Sequence, residues 1–190
     1  KKQQWDAAER LDWSLPVDPD NPMGLDDRTI AIFNTPLWNS LADKDKAHVR
    51  RNLQAHTLSQ FMHGEQGALI ATSKIVQTVP GVPAKFYAAT QVMDEARHVE
   101  AYARLLHEKV KLAYPITKTL ALLLESTISD RRWDMTYLGM QVLIEGLALA
   151  AFQRIRDTSS NTLAAGVNAY VMQDEARHVA FGRLALRDYY

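Results

Sequence analysis

The hexapeptide Asp-Glu-Ala-Arg-His-Val occurs twice, at 94–99 and at 174–179, an offset of 80 residues. So long an identity in a chain of 190 residues is very improbable by chance. The same offset relates Glu65, in FMHGEQGAL, to Glu145, in VLIEGLAL. Each of these glutamates precedes the glutamate of its hexapeptide by 30 residues. The chain therefore reads as two similar helix pairs, each carrying Glu…Glu-x-x-His.

Breakers are few and well placed. Residues 14–27, SLPVDPDNPMGLDD, hold three prolines and four aspartates and read as an irregular connection. Asp18, Asp20, Asp26 and Asp27 have the wrong spacing for a calcium loop and read as a solvated turn. A short helix is expected over about 27–41. From about Asp43 to Val79 only Gly64 and Gly67 interrupt one long helix. Pro80-Gly81 stops it, and Pro83 starts a second helix running to about Leu112. Pro115 opens a further helical segment ending near Ser129. A third long helix fits Arg131 to Asp157. TSSN (158–161) is then a loop with Ser160 as N-cap, and a fourth long helix runs to the end. No segment shows strand alternation. The expectation is all-α: a four-helix bundle over about 43–190 with a crossover between its second and third helices, an N-terminal extension over 1–42 carrying extra helices, and one domain over 1–190.

Composition excludes several classes. There is no cysteine, hence no disulfide, thiolate zinc site, iron–sulfur cluster or cysteine nucleophile. Lys plus Arg and Asp plus Glu both number 22, which gives none of the basic surplus a nucleic-acid binder needs. No apolar run reaches bilayer length, and KKQQWDAAER is not a signal peptide. A cytoplasmic, mostly helical protein is expected. The chain lacks an initiator Met and stops at RLALRDYY without a helix-stop signal, as a trimmed segment would.

On a helix, positions i and i+3 project from nearly the same side. Glu95 with His98, and Glu175 with His178, thus form two-ligand claws. Glu65 shares its face with Leu58, Phe61, Met62, Ala68 and Leu69, and Glu145 with Leu138, Val142, Ala148, Leu149 and Phe152. A lone carboxylate in an apolar stripe is costly unless neutralised, and four converging ones repel. Two divalent cations cancel four carboxylates. A dinuclear metal site, two iron ions or a Mn/Fe pair, resolves the conflict. The alternative, a bundle with buried, mutually paired polar residues, does not explain why the repeat keeps ligand types while its flanks differ. The remaining histidines, His48, His56, His63 and His107, fall on other faces and default to surface or subunit contacts.

This ligand pattern resembles the ferritin-like di-iron carboxylate superfamily, over roughly residues 43–190. The resemblance implies that Glu65 and Glu145 are terminal ligands, that His98 and His178 each bind one metal, and that Glu95 and Glu175 bridge. It further implies a crosswise arrangement of Asp94 toward His178 and Asp174 toward His98. Arg97 and Arg177 either pair with those aspartates or are solvated. D-E-x-R-H is similar to multicomponent monooxygenase hydroxylases and acyl-carrier-protein desaturases. EARHVEAY also resembles the ribonucleotide reductase small subunit and the related ligand-binding oxidases, in which a tyrosine one turn after the histidine can hold a radical. That position is Tyr102, and its counterpart in the second repeat is Gly182, which suggests a phenol on one side and open space on the other. Buried tyrosines more commonly just satisfy their hydroxyl. Arylamine N-oxygenases of the superfamily carry an extra histidine one turn before the second E-x-x-H glutamate. Val171 stands there, which argues against that branch.

The expected activity is O₂-dependent oxidation of an organic substrate. Small residues Gly146, Ala148, Ala150 and Ala151 either leave it space or pack helices closely. No dinucleotide or flavin fingerprint is present, so a reductase or ferredoxin would bring electrons. A homodimer is expected. Two alternatives are a ferroxidase, marked by a cage-sized oligomer, and a radical-storing subunit like that of ribonucleotide reductase, marked by a tyrosyl signal.

Overall fold

In the computed structural model, which describes residues 4–187, 189 and 190, every regular element is helical. After α1 (Ala7–Arg10) and α2 (Pro36–Ser40) come two long helices, α3 (Asp43–Thr78) and α4 (Val82–Arg104). The bundle continues with α5 (Lys118–Ser129), α6 (Trp133–Tyr137), α7 (Glu145–Thr158) and α8 (Thr162–Arg187). α3 packs along α4, α7 packs along α8, and α8 also meets α4. Asp43 and Asp45 in the first turn of α3 suit the positive end of its dipole. Pro80-Gly81 separates α3 from α4. This is the all-α ferritin-like bundle with a crossover.

α6 and α7 are one rod, Trp133–Thr158, joined through a π-helical stretch, Leu138–Ile144. A second π stretch, Leu105–Val110, extends α4. The wider turn moves the inward face. Tyr137, Met140 and Gln141 are buried ahead of Glu145, whereas Leu138 and Val142, expected there from α-helical spacing, are half-buried. By length and composition alone this rod is apolar enough to cross a membrane, which corrects the expectation that no run was. Its apolar character serves the bundle: it buries Glu145 and Phe152 and lies along α8.

The crossover between α4 and α5 is stapled to α3. Tyr114 N donates to Ser59 Oγ (3.0 Å), its carbonyl meets His63 Nε2 (3.0 Å), and its ring abuts His56. His56 and His63 are thus crossover anchors rather than free surface groups, while His48 and His107 are exposed. α5 begins at Lys118, not Pro115, because Thr117 Oγ1 accepts from Leu120 N (3.3 Å). α5 crosses close over α3 at Gly67, where a Cβ would lie 2.5 Å from Leu124 Cδ2.

Three further boundaries differ from expectation. The helix expected over 27–41 is a 3₁₀ turn, Asp27–Thr29, and α2, separated by Asn34 at φ 61°. α8 is capped by Asn161, whose Oδ1 accepts from Ala164 N (2.9 Å), while Ser160 bonds back to Gly24. α8 as described ends at Arg187. The N-terminal extension is mostly irregular, yet Trp5, Ala7, Leu11, Trp13 and Met23 join one core cluster with Leu58, Tyr102, Phe152 and Val167.

Candidate metal centre

Four helices deliver the conspicuous residues to one interior point: Glu65 from α3, Glu95 and His98 from α4, Glu145 from the first turn of α7, Glu175 and His178 from α8. All six are buried, Glu95 and His98 completely. They form two overlapping groups, Glu65–Glu95–His98–Glu175 and Glu95–Glu145–Glu175–His178, with the potential ligand atoms of each group within 4.8 Å of one another. Glu95 and Glu175 belong to both.

Atom by atom the overlap is sharper. His98 Nδ1 lies 2.9 Å from Glu175 Oε1, 3.2 Å from Glu65 Oε2 and 3.4 Å from Glu95 Oε2. His178 Nδ1 lies 3.2 Å from Glu95 Oε1, 3.3 Å from Glu175 Oε2 and 3.9 Å from Glu145 Oε2. Each central glutamate thus turns one oxygen to each histidine, and each outer glutamate serves one histidine.

The far side of each imidazole is held crosswise. His98 Nε2 lies 3.1 Å from Asp174 Oδ2, and His178 Nε2 lies 3.2 Å from Asp94 Oδ2. Arg97 Nη2 pairs with Asp94 and, at 3.1 Å, with Asp174. Arg177 pairs with Asp174 and stands 3.7 Å from Asp94. Both arginines therefore tie the aspartates together rather than sit free in solvent.

Sequence reasoning passed over two sets of contacts. Trp5 Nε1 donates to Asp174 Oδ2 (2.8 Å), Gln4 Nε2 donates to Asp94 Oδ1 (3.1 Å), and Arg97 lies over the Trp5 ring. Gln91 Nε2 donates to Glu95 Oε1 (3.0 Å) and Glu145 Oε1 (3.2 Å), and Gln141 Nε2 donates to Gln91 Oε1 (2.7 Å). Gln91 stood one turn before Glu95 and was readable from that spacing. Gln141 enters the interior through the π turn. It also fills the space expected to be open at Gly182, where a Cβ would lie 2.9 Å from Gln141 Cβ. Tyr102 is fully buried, its hydroxyl donating to Asn168 Oδ1 (3.0 Å).

The electrostatics describe a centre short of positive charge. Burial, reinforced by Glu175, pushes Glu65 up to about 8. Burial, then Glu175 and Glu95, lifts Glu145 well above the carboxylate range. Burial would lift Glu95 too, but His178 and His98 outweigh it and hold it low. Burial works against charge on both imidazoles, yet Glu65 for His98 and Glu175 for His178 lead the groups that raise them well above normal. Glu95 Oε2, Glu145 Oε2 and Glu175 Oε1 are buried without a hydrogen-bond partner. Buried orphan oxygens are rare and call for an ion or a water. An all-O/N donor set in this pattern fits two hard or borderline divalent cations such as iron or manganese.

A cavity of about 400 Å³ reaches this centre. Glu65, Glu145 and Glu175 form its floor, and Phe61, Ala68, Leu120, Met140, Ala148 and Phe152 are among its walls. Ala148 and Ala151 of the small-residue stripe line it. Gly146 and Ala150 do not.

Comparison with curated proteins and with solved structures yields no match. The chain does match, over residues 1–190, the family described as p-aminobenzoate N-oxygenase AurF. This overturns the argument drawn from Val171. Val171 packs fully buried beside the centre, at the position equivalent to Gln91, and one apolar substitution there does not remove the chain from that branch. With the match spanning every residue, the chain belongs to the p-aminobenzoate N-oxygenase AurF family of ferritin-like di-iron oxygenases, which use two iron ions to oxidise an organic substrate with O₂.

Proposed function

We propose that this chain is a di-iron N-oxygenase in which Glu65, Glu95 and His98, with Glu145, Glu175 and His178, hold the two metals. The sharing of Glu95 and Glu175 between two three-carboxylate, one-histidine groups carries this reading. It supports terminal roles for Glu65 and Glu145, bridging roles for Glu95 and Glu175, and Nδ1 ligation by both histidines. Two irons held there would supply the chemistry of O₂ activation. The chain's own residues do the rest. Asp94 and Asp174 accept the Nε2 protons of His178 and His98 and so fix each ring with Nδ1 inward. Arg97 and Arg177 pair with both aspartates and hold them in place. Gln91 orients Glu95 and Glu145 together. The apolar walls exclude water and hold the amine over the carboxylate floor.

N-hydroxylation of an amine would place one oxygen atom of O₂ on the nitrogen and release the other as water, taking two electrons and two protons from a donor. We assign the donor's role to a separate reductase or ferredoxin, since no Gly-rich dinucleotide turn is present in the sequence. We further read residues 1–190 as one domain with its bundle over about 43–190. We expect a cytoplasmic homodimer with no membrane span and no nucleic-acid partner. Tyr102 is read as a core tyrosine, because its hydroxyl is already committed to Asn168. The test is to load reduced iron, supply an aromatic amine, O₂ and a reductant, and assay for hydroxylamine or nitro product. Loss of product in Glu95→Ala and Glu175→Ala is expected. Product formation at wild-type rate in those variants would overturn the assignment.

A further inference from the structure

Resting on the oxygenase reading, we propose that the substrate is an uncharged aromatic amine of one or two rings, one that carries no carboxylate. The substrate would enter through the cavity whose mouth carries the exposed Leu123 and Leu147. Among the described residues that line it, none is Lys, Arg or His. Its floor is three carboxylates, and its walls are aliphatic and aromatic.

The polar groups in the lining are engaged or peripheral. Gln60 Nε2 donates to the Pro115 carbonyl (3.0 Å), and Gln60 Oε1 accepts from Thr117 N (2.9 Å). Thr117 Oγ1 caps α5, and Thr119 is at the exposed rim. Arg50 and Arg154 line a neighbouring hollow that shares only Phe61 and Ala151 with this cavity. Arg50 is moreover held by Asp27 through two contacts, 2.5 and 2.8 Å.

With the amine turned toward the metals, the carboxylate of p-aminobenzoate would lie among the apolar outer walls, leaving water without meeting a cationic side chain. A volume of about 400 Å³ exceeds the ~150 Å³ that encloses a benzene ring and falls at the small end of ordinary ligand sites. The chain therefore shares a family with p-aminobenzoate N-oxygenase but not the anion-bearing half of that substrate's recognition.

The test is equilibrium binding to iron-loaded protein whose metal has first been counted. The probes are p-aminobenzoate and its neutral methyl ester. The ester should bind at least about tenfold more tightly. Ala148→Phe, which fills the cavity, should abolish ester binding, and Leu123→Arg, at the exposed rim, should narrow the gap by recruiting the acid. Equal or tighter binding of the acid overturns the proposal, as does binding of neither compound or ester binding untouched by Ala148→Phe. If Ala148→Phe does not fold, the Leu123→Arg comparison decides, and an unchanged acid affinity counts against the proposal. A count below two irons per chain would instead sink the dimetal reading itself.

Discussion

His98 of the first repeat is oriented by Asp174 of the second, with Nε2 and Oδ2 3.1 Å apart. The reciprocal contact, His178 to Asp94, is 3.2 Å. Neither helix pair can orient its own imidazole alone, so the two halves of the chain are functionally interlocked.

Asp174→Asn is therefore expected to weaken the metal held by His98 by about 10–100-fold, and Asp94→Asn the metal held by His178. Isothermal titration of each variant with ferrous iron under argon measures this. Equal weakening of both metals in either variant would contradict the crosswise assignment.

Outer and shared glutamates should separate in the same way. Glu65→Ala and Glu145→Ala should each lower occupancy chiefly at one metal, while Glu95→Ala and Glu175→Ala should lower both, because only the latter pair faces both histidines. Four identical losses would remove the distinction.

Metal-free protein should lose stability as pH rises. Glu65 and Glu145 have folded pKa values above the unfolded carboxylate value, so their ionisation increasingly opposes folding from about pH 4.5 upward, to about pH 8 for Glu65. His98 and His178 are also raised, so their stabilisation is complete below about pH 6.5 and is lost as pH climbs through their folded values. Glu95 and Asp174 are lowered, and their stabilisation disappears only in acid. The apo form should accordingly melt highest in mild acid. Metal binding needs deprotonated ligands, so the gap between loaded and apo melting temperatures should widen toward pH 8. An apo form that grows steadily more stable from pH 6 to 8 contradicts the buried cluster.

Tyr102→Phe strands Asn168 Oδ1 in the core and should cost about 1–3 kcal/mol. Denaturant melts give that value. Iron content and the electron paramagnetic resonance spectrum after O₂ exposure should not change. Loss of a radical signal in the variant would give Tyr102 a redox role.

The repeat exposed the centre in the sequence because metal ligation tolerates almost no change of donor type. Glu65, Glu145 and the two Glu-x-x-His claws stand at equal offsets, whatever surrounds them. The long helices were equally legible, since Pro80-Gly81 and TSSN interrupt periodic apolar runs. Trp5 was not legible. Its bond to Asp174 spans 169 residues and comes from an irregular segment with no period to read. Gln141 was hidden for another reason: α-helical spacing assigns the inward face to Leu138 and Val142, and only the π turn brings Gln141 in. Asn161 displaced Ser160 as cap because Gly24 had claimed the serine.

The most direct test counts iron. Anaerobic titration of the folded chain with ferrous iron, followed by gel filtration and elemental analysis, should give two irons per chain in wild type and fewer than one in Glu95→Ala. Wild-type protein that retains one iron or none when fully loaded would contradict a centre built on shared Glu95 and Glu175.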